Sequence, residues 1–169
     1  SAYNMLAVMG PKSRDLLAGL TDADLSNEAF PFATAQEMDV AYARPLAIRM
    51  SFVGELGWEL YIPTEFSTNV FDALVAEGAK YDLKLVGLHA LDSLRLEKGY
   101  KHWGADITPD DTPFEAGLGF CIKLAKDTFI GKDALVRQKE TGLTKKLVMF
   151  SIEDSKPLVY HDEPIYRDG

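Results

Sequence analysis

The segment SFVGELGWELYIP, Ser51 to Pro63, decides how the rest of the chain is read. Arg49 to Val53 and Trp58 to Ile62 read as strands, and Gly54-Glu55-Leu56-Gly57 separates them. Successive side chains of a strand point to opposite faces. Trp58, Leu60 and Ile62 are therefore expected on one face, and Glu59 and Tyr61 on the other. The apolar face asks for a core. The second face admits two readings: the wet side of a one-sided sheet, or a pocket wall where a carboxylate accepts hydrogen bonds beside an aromatic ring. Gly54 and Gly57 suit either a hairpin or the close approach of a flat ligand to the backbone.

Working outward, YNMLAVMG reads as a short strand leading into GPKSRDLLAGLT, a helix with Pro11 at its first position and Leu16, Leu17 and Leu20 as its buried stripe. TAQEMDVAYA and PLAIRMSFV read as consecutive strands, which GWELYIP continues or returns. Thr64 is expected to cap a helix with apolar positions Phe66, Val70, Phe71, Leu74 and Val75, ending near Gly78. LKLVGL reads as another strand. A helix over HALDSLRLEK follows, in which Leu88, Leu91 and Leu94 share a face and Gly99 is the stop. The order strand–helix–strand–strand–helix–strand predicts an α+β fold with the split βαβ pattern of a ferredoxin-like layer.

Beyond residue 100 the character changes. WGADITPDDTPFEAGLG reads as a loop, GKDALVRQKETG as a helix, and KKLVMFSIED and PLVYHDEPIYRDG as strands. Asp168-Gly169 is the favoured opening of a tight hairpin turn, which a strand would follow, and the first residue is not Met. The chain reads as a piece cut from a longer polypeptide at both ends.

With 169 residues, 47% hydrophobic and 26% charged, the chain can bury a normal core. A net charge of −8 argues against a nucleic-acid partner, whose phosphates it would repel. No apolar run approaches the roughly 20 residues that span a bilayer, and no targeting signal is visible. Cys121 is the only cysteine, which excludes an internal disulfide, and its apolar context in GLGFCIKL predicts a buried structural thiol. His89, His102 and His161 lack metal-ligand spacing, so no metal is expected. DITPDD fails the calcium-loop pattern, and neither a phosphate fingerprint nor a nucleophile elbow is present. Asp92 and Arg95, three apart on a helix, are expected to form a structural ion pair, and Tyr100, His102 and Trp103 a packed helix exit.

RMSFVGELGWELYIP, DSLRLEKGYKHWGADITPDDTPFEAGLGFCIKL and FIGKDAL, in this order, resemble the glycine-cleavage T-protein (aminomethyltransferase) family along essentially the whole chain. The phrases EKGY, HW and GELGWELY resemble most the folate-binding C-terminal region of sarcosine and dimethylglycine dehydrogenases. The resemblance implies a tetrahydrofolate site in the crevice of a ferredoxin-like layer, followed by the start of a β-barrel-like part. It implies that residues 1–105 are the second portion of the folate-binding domain, 106–142 a connecting loop and helix, and 143–169 the incomplete start of a C-terminal β domain.

In such a family the one-carbon unit of an N-methyl amine is captured as methylenetetrahydrofolate. By resemblance Glu59 holds the pterin, Leu60 and Tyr61 line the site, and Phe52 stands where a tyrosine is common, keeping the ring without the hydroxyl. Glu55 would orient the loop. A carboxylate suits the anchoring role because it can accept the paired N–H donors of an aminopyrimidinone edge. Leu91 stands where T-proteins proper often carry an arginine, which points to the dehydrogenase branch.

The family's catalytic aspartate has no match here, so no catalytic residue is expected within the chain. FAD would belong to an upstream domain of the parent protein. The resemblance places a bacterial parent in the cytoplasm and a eukaryotic one in the mitochondrial matrix. The other two readings are a piece of a stand-alone aminomethyltransferase and a non-catalytic interaction module that keeps the folate fold.

Overall fold

The structure, a computed structural model, describes residues 2–154, 156–160 and 163–166. It divides into two units, Ser1–His102 and Trp103–Gly169. In the first unit the described elements are β1 (Tyr3–Met9), α1 (Ser13–Ala18), β2 (Ala35–Glu37), β3 (Leu46–Ile48), β4 (Gly57–Pro63), α2 (Ser67–Gly78) and α3 (Leu88–Glu97).

The strands form one antiparallel sheet in the order β1-β4-β3-β2. β2, β3 and β4 are a meander, and β1 returns along the outer side of β4. The chain is thus α+β, and two strands separate β1 from the strand that follows α1. LKLVGL does not form the expected strand: residues 82–87 lie outside the ladder. Residues 49–53 likewise leave the sheet after Ile48 and form an irregular loop that carries the chain into β4.

Seven consecutive pairs, Tyr3↔Pro63 through Met9↔Gly57, fix the β1–β4 register. That register puts Trp58, Leu60 and Ile62 on the inner face, each fully buried, against Leu16 and Leu17 of α1 and Val70 and Leu74 of α2. Burying each large apolar side chain contributes about 1.5–3 kcal/mol, so the three inner residues of β4 are a substantial part of the core. Trp58 is the centre. Phe30 meets its ring edge-on at 6.1 Å, and the guanidinium carbons of Arg14 and Arg49 lie 6.0 and 5.7 Å from its centroid.

Gly10, at φ +127°, turns β1 into α1, a conformation that favours glycine. Its N–H and the Ser13 hydroxyl both donate to the Leu56 carbonyl, at 2.8 and 3.0 Å, tying the start of α1 to the start of β4. α1 begins at Ser13, two residues later than Pro11 suggests. Thr64 opens a 3-10 turn, Thr64–Phe66, ahead of α2, and the residue at the N-cap position of that helix is Phe66. In α3 the shared face of Leu88, Leu91 and Leu94 is not a core face: Leu88 is 74% exposed, and Leu91 and Leu94 line an apolar hollow of about 450 Å³ beside β1.

In the second unit Thr112 and Glu115 form a reciprocal pair. The Thr112 N–H and hydroxyl donate to Glu115 Oε2, each at 2.9 Å, and the Glu115 N–H donates to Thr112 Oγ1 at 3.3 Å. The Thr108 N–H donates to Asp111, which also pairs with Lys145 at 2.8 Å. α4 (Lys132–Thr141) runs between Gly131 and Gly142, both at positive φ.

Cys121 is exposed, in a 3-10 turn, contrary to the buried thiol expected from its neighbours; the apolar side chains around it in sequence have no core above them. No strand forms among the described residues after Gly142. KKLVMFSIED and the described part of PLVYHDEPIYRDG find no ladder there, and a strand exists only by pairing. The Asp168-Gly169 turn and His161 lie outside the described residues.

The carboxylates of Asp111 and Glu115 titrate below their ordinary values of 3.8 and 4.5. For Asp111 the first cause is the Lys145 hydrogen bond, and for Glu115 the Thr112 N–H. A depressed carboxylate adds stability that is complete above its ordinary value and is lost as pH falls through the lowered folded value. The amide resonances of Thr108 and Thr112 are therefore expected to titrate with midpoints below 3.8 and 4.5. Midpoints at or above those values would contradict the geometry.

Candidate functional site

β4 presents its outer face between β1 and β3, and the register defines what surrounds each side chain. Glu59 is flanked by Ala7 and Ile48, and Tyr61 by Met5 and Leu46. Both are half-buried. The small side chain of Ala7 leaves room beside the carboxylate, while Met5, Leu46 and Ile48 make the surrounding wall apolar.

The Tyr61 hydroxyl donates to Glu59 Oε2 at 3.0 Å. This bond, with some burial and the carboxylate's charge, raises the phenol's pKa and keeps it a donor. Glu59 Oε1 makes no hydrogen bond to the described residues, and Oε2 retains a second lone pair. The result is an oriented carboxylate on a half-apolar surface with acceptor capacity to spare. It can take a planar ligand that presents adjacent N–H donors, and Tyr61 supplies an aromatic edge next to it.

Leu60 has no place on this face. The pleat turns it to the inner side, where it is fully buried beneath Glu59 and Tyr61.

The loop between β3 and β4 carries the other two sequence candidates, and both turn toward α3 and its exit. Glu55 pairs with Lys98 at 2.8 Å, and its N–H donates to Ser51 Oγ at 3.2 Å. Gly54 is at φ +70°, and a Cβ there would stand 2.7 Å from Lys98 Cγ, so the loop backbone rests directly on the lysine stem. Phe52 meets the His102 ring edge-on, centroids 6.0 Å apart at 82°.

Ser51 Oγ contacts Met9 Sδ at 3.7 Å. Met9 pairs with Gly57, one same-face step along β4 from Glu59, so the loop is pinned at the Glu59 end of the sheet. The structure thus joins Glu59 to Tyr61 directly, and hands Phe52 and Glu55 to α3.

Arg95 is the buried charge of this region, 4% exposed. Its Nε and Nη2 each reach Asp92 Oδ1 at 2.7 Å, and Nη1 donates to the Tyr100 carbonyl at 3.1 Å. That is the structural pair expected from the i, i+3 spacing. His102, which sequence reasoning left as packing, places Nδ1 at 3.7 Å from the same Asp92 oxygen. Lys98 was not singled out either, and no local pattern points from either residue to a loop more than forty positions earlier. Among the described residues no group of three or more His, Cys, Asp or Glu side chains is placed to hold a metal, and no helix is long and apolar enough to cross a membrane.

Comparison with known proteins gives this geometry a lineage. Residues 1–126 match the family model described as the GCVT N-terminal domain. Mitochondrial sarcosine dehydrogenase of Mus musculus is 49% identical over 166 residues, covering 98% of this chain and 18% of that protein. An aminomethyltransferase of Listeria monocytogenes serotype 4a is 41% identical over 167 residues, 98% of this chain and 44% of its own length. The chain therefore spans less than half of these relatives. The crystal structure of glycine cleavage system aminomethyltransferase T from Bartonella henselae superposes with a TM-score of 0.66 at 31% identity, covering 82% of this chain and 37% of that one. An α+β sheet of this topology, the match over residues 1–126 and the likeness to a solved T-protein together lead to one statement: the chain belongs to the glycine-cleavage T-protein family, in its GCVT N-terminal domain.

Proposed function

We propose that this chain is the folate-holding part of a longer enzyme that moves the one-carbon unit of an N-methyl amine, sarcosine or dimethylglycine, to tetrahydrofolate. The observation that carries the reading is Glu59: a half-buried carboxylate, oriented by Tyr61, with free acceptor capacity between apolar cross-strand neighbours, Ala7 and Ile48. That donor and acceptor set fits a pterin. Glu59 would accept the N–H donors of its aminopyrimidinone edge, Tyr61 would hold the carboxylate in place, and Phe52 would wall the site from the loop.

Tetrahydrofolate, when bound, supplies the reduced nitrogens that take up the one-carbon unit. The chain's own residues bind and orient the pterin and keep water from its polar edge, which strengthens a charge-assisted hydrogen bond. No residue here is assigned to catalysis. FAD and the catalytic carboxylate would belong to other parts of the full-length protein, and a eukaryotic parent would work in the mitochondrial matrix. The 49% identity to sarcosine dehydrogenase, against 41% to the aminomethyltransferase, favours the dehydrogenase branch.

The test is an assay of the full-length protein with sarcosine or dimethylglycine and an artificial electron acceptor. Addition of tetrahydrofolate is expected to convert free formaldehyde output into methylenetetrahydrofolate. Amine oxidation with unchanged formaldehyde release would defeat the reading, and one-carbon transfer without any amine oxidation would move the stand-alone transferase ahead.

A further inference from the structure

The loop that carries Phe52 is held by Lys98 and His102, which follow α3, and His102 in turn approaches the Asp92–Arg95 pair of that helix. Arg95, buried, fixes Asp92 through two 2.7 Å contacts from the same guanidinium and braces the helix exit through the Tyr100 carbonyl. Asp92 stands 3.7 Å from His102 Nδ1, and His102 meets Phe52 edge-on. In parallel, Lys98 carries the Gly54 backbone on its stem and pairs with Glu55. The loop itself has no regular structure between Ile48 and Gly57 to hold these positions. An aromatic wall on such a loop is only as well placed as the groups that pack against it.

We propose that His102, set by the Asp92–Arg95 pair, is a positioning residue for the folate site, fixing the Phe52 ring that walls it. The proposal rests on the folate reading above. In this proposal His102 acts through Phe52, whose ring it meets edge-on. Asp92 is held below its ordinary value first by the Arg95 hydrogen bond, so it keeps its negative charge 3.7 Å from the imidazole. Losing the imidazole leaves Phe52 without its edge-to-face partner. The expected loss of tetrahydrofolate affinity is about three- to tenfold, the range that an aromatic pair contributes.

The experiment is a double-mutant cycle on tetrahydrofolate dissociation constants in the full-length protein, using His102→Ala, Phe52→Ala and the pair. His102→Ala is expected to weaken binding alone and to add nothing once Phe52 is alanine. His102→Phe, which restores a ring, is expected to recover most of the loss, a rescue that general destabilisation would not show. Unchanged affinity in His102→Ala, or losses that simply add in the double variant, would overturn the positioning role. Glu59→Ala, run beside the cycle, separates the two levels. A Glu59 effect with no His102 effect removes only this proposal; absence of folate binding by the parent protein removes both.

Discussion

Glu59→Ala in the full-length protein is expected to weaken tetrahydrofolate binding at least about tenfold, the ~1.5–3 kcal/mol typical of hydrogen bonds to a charged group. The size follows from the surroundings. Glu59 sits among Ala7, Ile48, Met5 and Leu46, none of which offers a comparable acceptor side chain, and among the described residues its hydrogen-bond partner is the Tyr61 hydroxyl. Glu59→Gln keeps the shape yet puts an amide where a second acceptor stood, so it is expected to fall close to the alanine variant. Neither change touches the inner face of β4, and thermal unfolding should shift little. Titration calorimetry with tetrahydrofolate reads the first effect and a melting curve the second. Wild-type affinity in Glu59→Ala would remove the pterin anchor; a collapsed melting curve would mean that the outer face matters to the fold more than its half-burial implies.

Trp58→Ala is expected to do the opposite: lower the stability of the fold steeply while leaving the side chains of the outer face, Glu59 and Tyr61, in place. Trp58 is fully buried, meets Phe30 edge-on and lies beside the guanidinium groups of Arg14 and Arg49. Truncating a buried tryptophan typically costs about 3–5 kcal/mol through lost burial and the cavity left behind. Two neighbouring cations would lose the ring they face, each worth roughly 0.5–1 kcal/mol. Against a typical domain stability of about 5–15 kcal/mol this is a large share. Trp58 Nε1 is buried without a hydrogen-bond partner among the described residues, so Trp58→Phe removes an unsatisfied donor along with part of the volume. It should cost clearly less than alanine. Urea denaturation followed by circular dichroism gives both values; a loss below about 1 kcal/mol for alanine would contradict the central place of Trp58 in the core.

Much of this was legible along β4. The alternation from Trp58 to Ile62 sorted inner from outer residues correctly, because period two is a property of the backbone and needs no knowledge of neighbours. The same rule puts the Leu60 side chain in the core, whereas its place among the site residues came from resemblance and not from the pleat. Periodicity in α3 told which leucines share a side; it could not tell what covers that side, and Leu88 stays exposed. LKLVGL and KKLVMFSIED have strand composition, yet ladder pairing depends on partners that composition does not name. Thr112-Pro113-Phe114-Glu115 carries the Thr-x-x-Glu spacing of a capping box, a local signal for the reciprocal bonds that the two side chains make. The contacts of Phe52 with His102 and of Glu55 with Lys98 cross more than forty residues, and nothing local announces them.

The pleat of β4 has a practical corollary for anyone who wishes to alter this protein. Odd and even positions from 58 to 62 answer to different selections: a library at Glu59 and Tyr61 varies the outer surface with few clones lost to misfolding, whereas a library at Trp58, Leu60 and Ile62 can be screened for thermal hardiness with that surface held nearly constant. Five consecutive residues therefore offer two independent dials.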